Sequence, residues 1–193
     1  MDTIGITMKE MEIINSFQYK AHRKVLFTML AIAKHFNSVS ETNNGWVNYN
    51  TKSIFRMADV SVSRKAQNFM IHDFYKAGVV EIPRNSMNLN LRITFVDESD
   101  AAIHCVESIE DCGLSYLSFC GERVKACADC GRLFKPTSSH NQYCKRCLAK
   151  SNDKVMYCVS CGKKLILPST NHRTIRCDEC QNRENQRIKN LSK

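Results

Sequence analysis

The chain has 193 residues, 28 Lys/Arg against 19 Asp/Glu, and 11 cysteines. That length accommodates one core of about 100 residues plus small modules that need help to fold. No stretch approaches the ~20 apolar residues of a membrane span, and Met1 to Met11 carries acids and a lysine where a signal peptide has an apolar run. The expected compartment is therefore reducing and cytoplasmic, where clustered cysteines bind metal more often than they pair.

In chain order, the first helical pattern runs over residues 16–37, with Phe17, Ala21, Val25, Leu26, Met29, Leu30, Ile32, Ala33 and Phe36 on one face. Asn43-Asn44-Gly45 marks a turn, and Trp46-Val47-Asn48-Tyr49 follows as a short strand. A second helix starts after Asn50 or Thr51 and runs through Ile54, Phe55, Met57 and Ala58. After a break over 59–63, Ser61 or Ser63 caps a third helix whose buried side is expected to be Ala66, Phe69, Met70, Phe74 and Ala77, with Gly78 as the residue after its C-cap.

The periodicity then changes from helical to alternating. Val79 to Ile82 forms one strand, residues 83–86 turn, and Leu89, Leu91, Ile93 and Phe95 alternate with polar neighbours as a half-buried return strand. Helix, strand, helix, turn, helix, hairpin is the winged helix-turn-helix order, and Ala58 to Val80, with Val62-Ser63-Arg64 opening the third helix and Lys76-Ala77-Gly78-Val79-Val80 closing it, resembles the recognition-helix-to-wing stretch of bacterial winged-helix proteins. That resemblance implies that the third helix enters the major groove of duplex DNA. Ser63, Arg64, Lys65, Gln67 and Asn68 would then face the bases, since Arg and Lys suit guanine and Asn and Gln suit adenine. Lys52, Arg84 and Asn85 would contact phosphate.

Residues 97–126 form an acidic connector with 7 Asp/Glu against 2 Lys/Arg. Ala102, Val106, Ile109, Cys112, Leu117 and Cys120 sit at near-helical spacing, interrupted by Gly113, so one helix or two short ones are expected. Their apolar face is expected to pack on the preceding domain, with a homodimer interface as the rival. His104 beside Cys105, Cys112 and Cys120 invites a catalytic-cysteine reading, but free cysteine is commonly a small core residue.

The last third is organised by cysteines. Cys127-Ala-Asp-Cys130 pairs with Cys144-Lys-Arg-Cys147, and Cys158-Val-Ser-Cys161 pairs with Cys177-Asp-Glu-Cys180. Zinc in a structural site takes four soft ligands in a tetrahedron, and each Cys-x-x-Cys turn supplies two, so these are two zinc ribbons, over 127–150 and 155–182, holding two Zn²⁺. Cys130-Gly131-Arg132 repeats as Cys161-Gly162-Lys163, and glycine after the second cysteine suits a knuckle with φ > 0. Each segment reads as a hairpin, with Leu133-Phe134 and Leu165-Ile166-Leu167 as its few apolar side chains. His140 and His172 are expected to be loop-tip residues, since both four-cysteine sets are complete. A basic tail, 183–193, forms a short helix or an arm.

The charge is uneven in the same pattern: residues 16–96 hold 11 Lys/Arg against 4 Asp/Glu, and residues 127–193 hold 14 against 5. Zinc-bound thiolates lower the working charge of the last region to about +5. The chain as a whole is an α+β protein: a winged helix-turn-helix domain over 1–96, a helical connector over 97–126, and two ribbons. It looks like the small proteins of bacterial phages and mobile elements that join a helix-turn-helix to a zinc ribbon. The resemblance implies a non-enzymatic DNA-binding protein, a transcription regulator or a replication-initiation factor. The rival is a protein-binding inhibitor or adaptor, for example of the anti-CRISPR type, that engages a host nucleoprotein complex. Its partners would be duplex DNA, or a protein through the ribbons.

Overall fold

The structure is a computed structural model that describes residues 3–40, 42–83, 90–139, 141–151, 154–167 and 176–191. It is a mixed α/β chain in two compact units. The first comprises Met1–Lys125 with Arg132–Pro136, and the second Ala126–Gly131 with Thr137–Lys193.

The first unit opens with elements that the periodicity does not announce, β1 (Ile4–Thr7) and α1 (Met8–Asn15). Thr7 and Glu10 form a capping box: Glu10 N donates to the Thr7 hydroxyl at 3.3 Å and Thr7 N donates to Glu10 Oε2 at 2.8 Å. Glu10 is fully buried. Its carboxylate also accepts from Lys34 Nζ at 2.9 and 3.0 Å and from Asp97 N at 2.8 Å. A buried carboxylate persists only when paired and hydrogen-bonded, and this one joins α1, the central helix and the chain that follows the hairpin.

The helix expected over 16–37 is therefore the second, α2 (Lys20–Val39), and every residue from Lys24 to Ala33 is buried. A helix covered on all sides is the centre of its domain. It packs against α1, α3 (Thr51–Met57), α5 (Cys112–Phe119) and strands of two sheets. Lys24 survives inside by reaching Asp59 O at 2.7 Å and Asp59 Oδ2 at 3.0 Å. This fixes Asp59 in the left-handed region, φ 52°, where α3 stops.

The turn, strand and helix expected after residue 43 are all present. Asn44 and Gly45 have φ of 46° and 83°, β2 covers Trp46–Val47, and the Asn50 side chain caps α3 by accepting from Ser53 N at 2.9 Å. Ser63 caps α4 (Arg64–Lys76), accepting from Ala66 N at 3.3 Å, and Gly78 follows its C-cap at φ 72°. β3 (Val80–Glu81) and β4 (Leu91–Ile93) complete an antiparallel sheet of order β2-β4-β3, with Val47 opposite Leu91 and Val80 opposite Ile93. Residues 84–89, which hold most of the expected turn and Leu89, lie outside the described residues.

Two expectations are corrected. The buried side of α4 is Met70, Ile71 and Phe74, whereas Phe69 and Ala77 face water. The helical spacing read at 102–106 is a strand, β5 (Ala102–Val106), antiparallel to β1 with Ile4 opposite Val106 and Ile6 opposite His104. Only Val106 of that strand is buried, so its alternation was too weak to read. A 3₁₀ turn (Ile109–Asp111) leads into α5, which buries Cys112, Gly113, Ser115, Tyr116 and Leu117. The apolar face of α5 packs on α2 of the same chain, so the acidic segment contributes a strand and a helix to the first core.

In the second part of the chain, β6 (Lys125–Ala126) pairs with β7 (Leu133–Phe134), and β8 (Lys154–Tyr157) pairs with β9 (Lys164–Leu167). Two helices, α6 (Lys145–Ser151) and α7 (Asp178–Leu191), alternate with these hairpins. No described helix is long and apolar enough to cross a membrane.

Candidate metal centres and nucleic-acid face

The two modules are built alike. The first Cys-x-x-Cys pair of each forms the tip of a hairpin: β6 ends beside Cys127 and β7 begins shortly after Cys130, while β8 ends beside Cys158 and β9 begins after Cys161. Gly131 N donates to Cys127 O at 2.9 Å and Gly162 N to Cys158 O at 2.8 Å, and both glycines have positive φ, 71° and 72°. The second pair opens a helix in each case. Cys144 precedes α6 and Cys147 lies in its first turn; Cys177 precedes α7 and Cys180 lies in its first turn. The expected hairpins are present, whereas the sequence pattern does not announce α6, and α7 starts well before residue 183.

The Sγ atoms of Cys127, Cys130, Cys144 and Cys147 all lie within 4.8 Å of one another, as do those of Cys158, Cys161, Cys177 and Cys180. A zinc–thiolate bond of about 2.3 Å in a tetrahedron requires sulfur–sulfur edges near 3.8 Å. Cys130 and Cys144 are 3.9 Å apart and Cys161 and Cys177 are 3.7 Å apart. Each group therefore fits one Zn²⁺, two per chain.

The local electrostatics suit the same ion. Backbone N–H groups aimed at sulfur stabilise thiolate: that of Cys144 brings Cys127 down to about 6, and that of Cys177 brings Cys158 down to about 6. Two thiols from the second pairs are pressed the other way by what surrounds them. Cys147 is raised by Asp129 and then by Cys130, and Cys180 is raised to about 12 by Cys177 and Cys161. Crowded sulfurs cannot all ionise without a cation among them. Arg183 Nη2 lies 3.8 Å from Cys180 Sγ, adding an outer-shell donor. His140 and His172 fall outside the described residues.

In the first unit, Asp111 is 8% exposed. It accepts from Arg132 Nε and Nη2 at 3.3 and 3.0 Å and from Leu133 N at 3.0 Å, anchoring the chain that leaves the first knuckle. No signal in the composition marks Asp111 out from the other acids of its segment.

The candidate nucleic-acid residues fall into three sets. Ser63, Arg64, Lys65 and Asn68 lie exposed at the start of α4, and Lys52 is exposed on α3. Gln67 is half-buried, and its side-chain Nε2 donates to Val62 O at 3.3 Å, so its amide is partly engaged in closing the turn before α4. Arg84 and Asn85 lie outside the described residues. Around this face stand large side chains that the periodicity assigned to the core or left unassigned: Phe69, His72 and Tyr75.

The leftover cysteines divide. Cys105 and Cys120 are exposed, while Cys112 is buried and its thiol is pushed up to about 12, chiefly by burial, away from the thiolate a nucleophile needs. His104 shares a 2.8 Å hydrogen bond with Ser115 and packs between Phe27 and Phe119. No protein-family model, curated protein or solved structure matches the chain.

Proposed function

We propose that this chain is a non-enzymatic, zinc-containing DNA-binding protein, a transcription regulator or replication-initiation factor of a phage or mobile element. In this reading residues of the first unit form a winged helix-turn-helix, and the four-cysteine modules are zinc ribbons that add basic surface. The observation that carries it is the run α2-β2-α3-α4-β3-β4 with sheet order β2-β4-β3. In support of the reading, α4 is a capped helix that turns Arg64, Lys65 and Asn68 to solvent, side chains suited to a reading helix. Lys52 supplies charge from α3. A closed four-thiolate site leaves no open position for a substrate, which favours a structural role for the metal.

The test is salt-dependent fluorescence anisotropy of the zinc-loaded full chain on the DNA upstream of its own gene and on random duplex. Tight binding with a preference between the two and a steep salt slope is the expected result. Lys52→Ala should weaken both duplexes alike and make the log–log salt slope shallower by about 1, whereas Arg64→Ala should reduce the preference. Absence of binding to either duplex would refute the reading and leave the inhibitor or adaptor, to be sought by pull-down.

A further inference from the structure

Phe69 stands at the middle of α4 with 57% of its surface in water, although the same helix turns Met70, Ile71 and Phe74 into the core. At 100° per residue, Asn68 and Phe69 share the outer face of α4 with Lys65 one turn before and His72 one turn after. The Lys65 ammonium lies over the Phe69 ring, 5.9 Å from its centroid, so charge and apolar surface are presented together. The one acid of α4, Asp73, is drawn aside by His22, whose Nε2 is 3.3 Å from Asp73 Oδ2. The start of the face, with Arg64 and Lys65 exposed, is thus cationic, with an amide and a phenyl ring at its centre.

Among the four bases only thymine shows a methyl group in the major groove, and its partner adenine shows an N7 acceptor beside an N6 donor. An exposed ring next to a side-chain amide matches those two edges. Granting the duplex-binding reading above, on which this rests, we infer that Phe69 and Asn68 select an A·T pair. The phenyl ring covers the thymine methyl, and the Asn68 amide bonds adenine N6 and N7. Lys65 supplies the phosphate attraction that seats the helix.

The experiment uses the zinc-loaded full chain and a pool of randomised duplexes of about 20 base pairs, from which bound sequences are enriched. The enriched duplex is then compared by anisotropy with the same duplex carrying deoxyuridine for thymine, and with its separated strands. Removing a covered methyl should weaken wild-type binding about fourfold, the worth of one buried methyl group. Phe69→Ala should be indifferent to the exchange, Phe69→Leu should keep the sensitivity because it still offers apolar cover, and Asn68→Ala should lose the choice of A·T at that pair. Since Phe69 is exposed, an unchanged thermal melt confirms that the variants are folded. Equal affinity for thymine and deoxyuridine, or a Phe69→Ala protein that still distinguishes them, would overturn the inference while leaving duplex binding intact. If no duplex is enriched, or single strands bind more tightly than the duplex by stacking on the ring, the inference and the duplex reading fall together.

Discussion

Cys158→Ser isolates what metal contributes to the second module. Its buried set among the described residues is Cys158, Cys177 and Cys180, with Leu165 partly covered against them. Burying one leucine contributes about 1.5–3 kcal/mol at most, whereas structural zinc binding at neutral pH releases about 10–16 kcal/mol. The ion therefore outweighs the apolar contacts several-fold, and a serine hydroxyl cannot replace the thiolate that the Cys177 amide favours at Cys158. The 14-residue helix α7 is largely exposed and has a polar sequence, and an isolated helix of that length is marginal in water. Bound zinc should fall from two ions per chain to one, measured by a metal-specific dye after protein digestion. In amide NMR spectra the signals of Lys154–Tyr157, Lys164–Leu167 and Asp178–Leu191 should collapse to coil positions, while those of α2 stay dispersed. A variant that keeps two zinc ions would refute the ligand set, and one that loses an ion but keeps the β8–β9 amides dispersed would refute the claim that metal replaces a core here.

Two further predictions concern the first unit. A Cβ at Gly113 would lie 2.1 Å from Ala58 O and 2.3 Å from Ala58 C, both backbone atoms, so Gly113→Ala should cost about 3 kcal/mol, the upper end of overpacking; an unchanged urea midpoint would mean that α5 and the end of α3 do not meet this closely. Burial holds the His104 imidazole below its ordinary 6.5, so the unfolded chain takes up a proton first as the solution is acidified. The contribution is complete above about pH 6.5 and declines below it. His104→Gln should flatten that part of the decline, and identical losses in the two proteins between pH 7 and 5.5 would show that His104 has no part in it.

Much of the chain can be read without coordinates because the signals are local. The spacing of eight cysteines is enough to define two tetrahedral sites, since a Cys-x-x-Cys turn brings its own two sulfurs together and only one partner knuckle follows at ribbon distance. Gly78 and Asn44-Gly45 act on the backbone within three or four residues of themselves and mark the expected boundaries, and of the two caps the sequence offers for each helix, Asn50 or Thr51 and Ser61 or Ser63, the structure uses Asn50 and Ser63. Thr7 and Glu10 form an equally local capping signal, but it stands ahead of a helix of only eight residues, too short for its periodicity to show.

What tertiary structure alone decided is the set of contacts between segments far apart in sequence. β1 is a strand because β5 lies a hundred residues away to pair with it, and the four residues Ile4–Thr7 have too short a pattern to show this alone. Gly113 reads as a helix breaker in the sequence, yet it sits inside α5 because Ala58 leaves no room for a side chain. Phe69 reads as core because helical periodicity gives the width of an apolar face but not its direction. Only the packing of α4 through Met70, Ile71 and Phe74 settles which edge of that face stays in water.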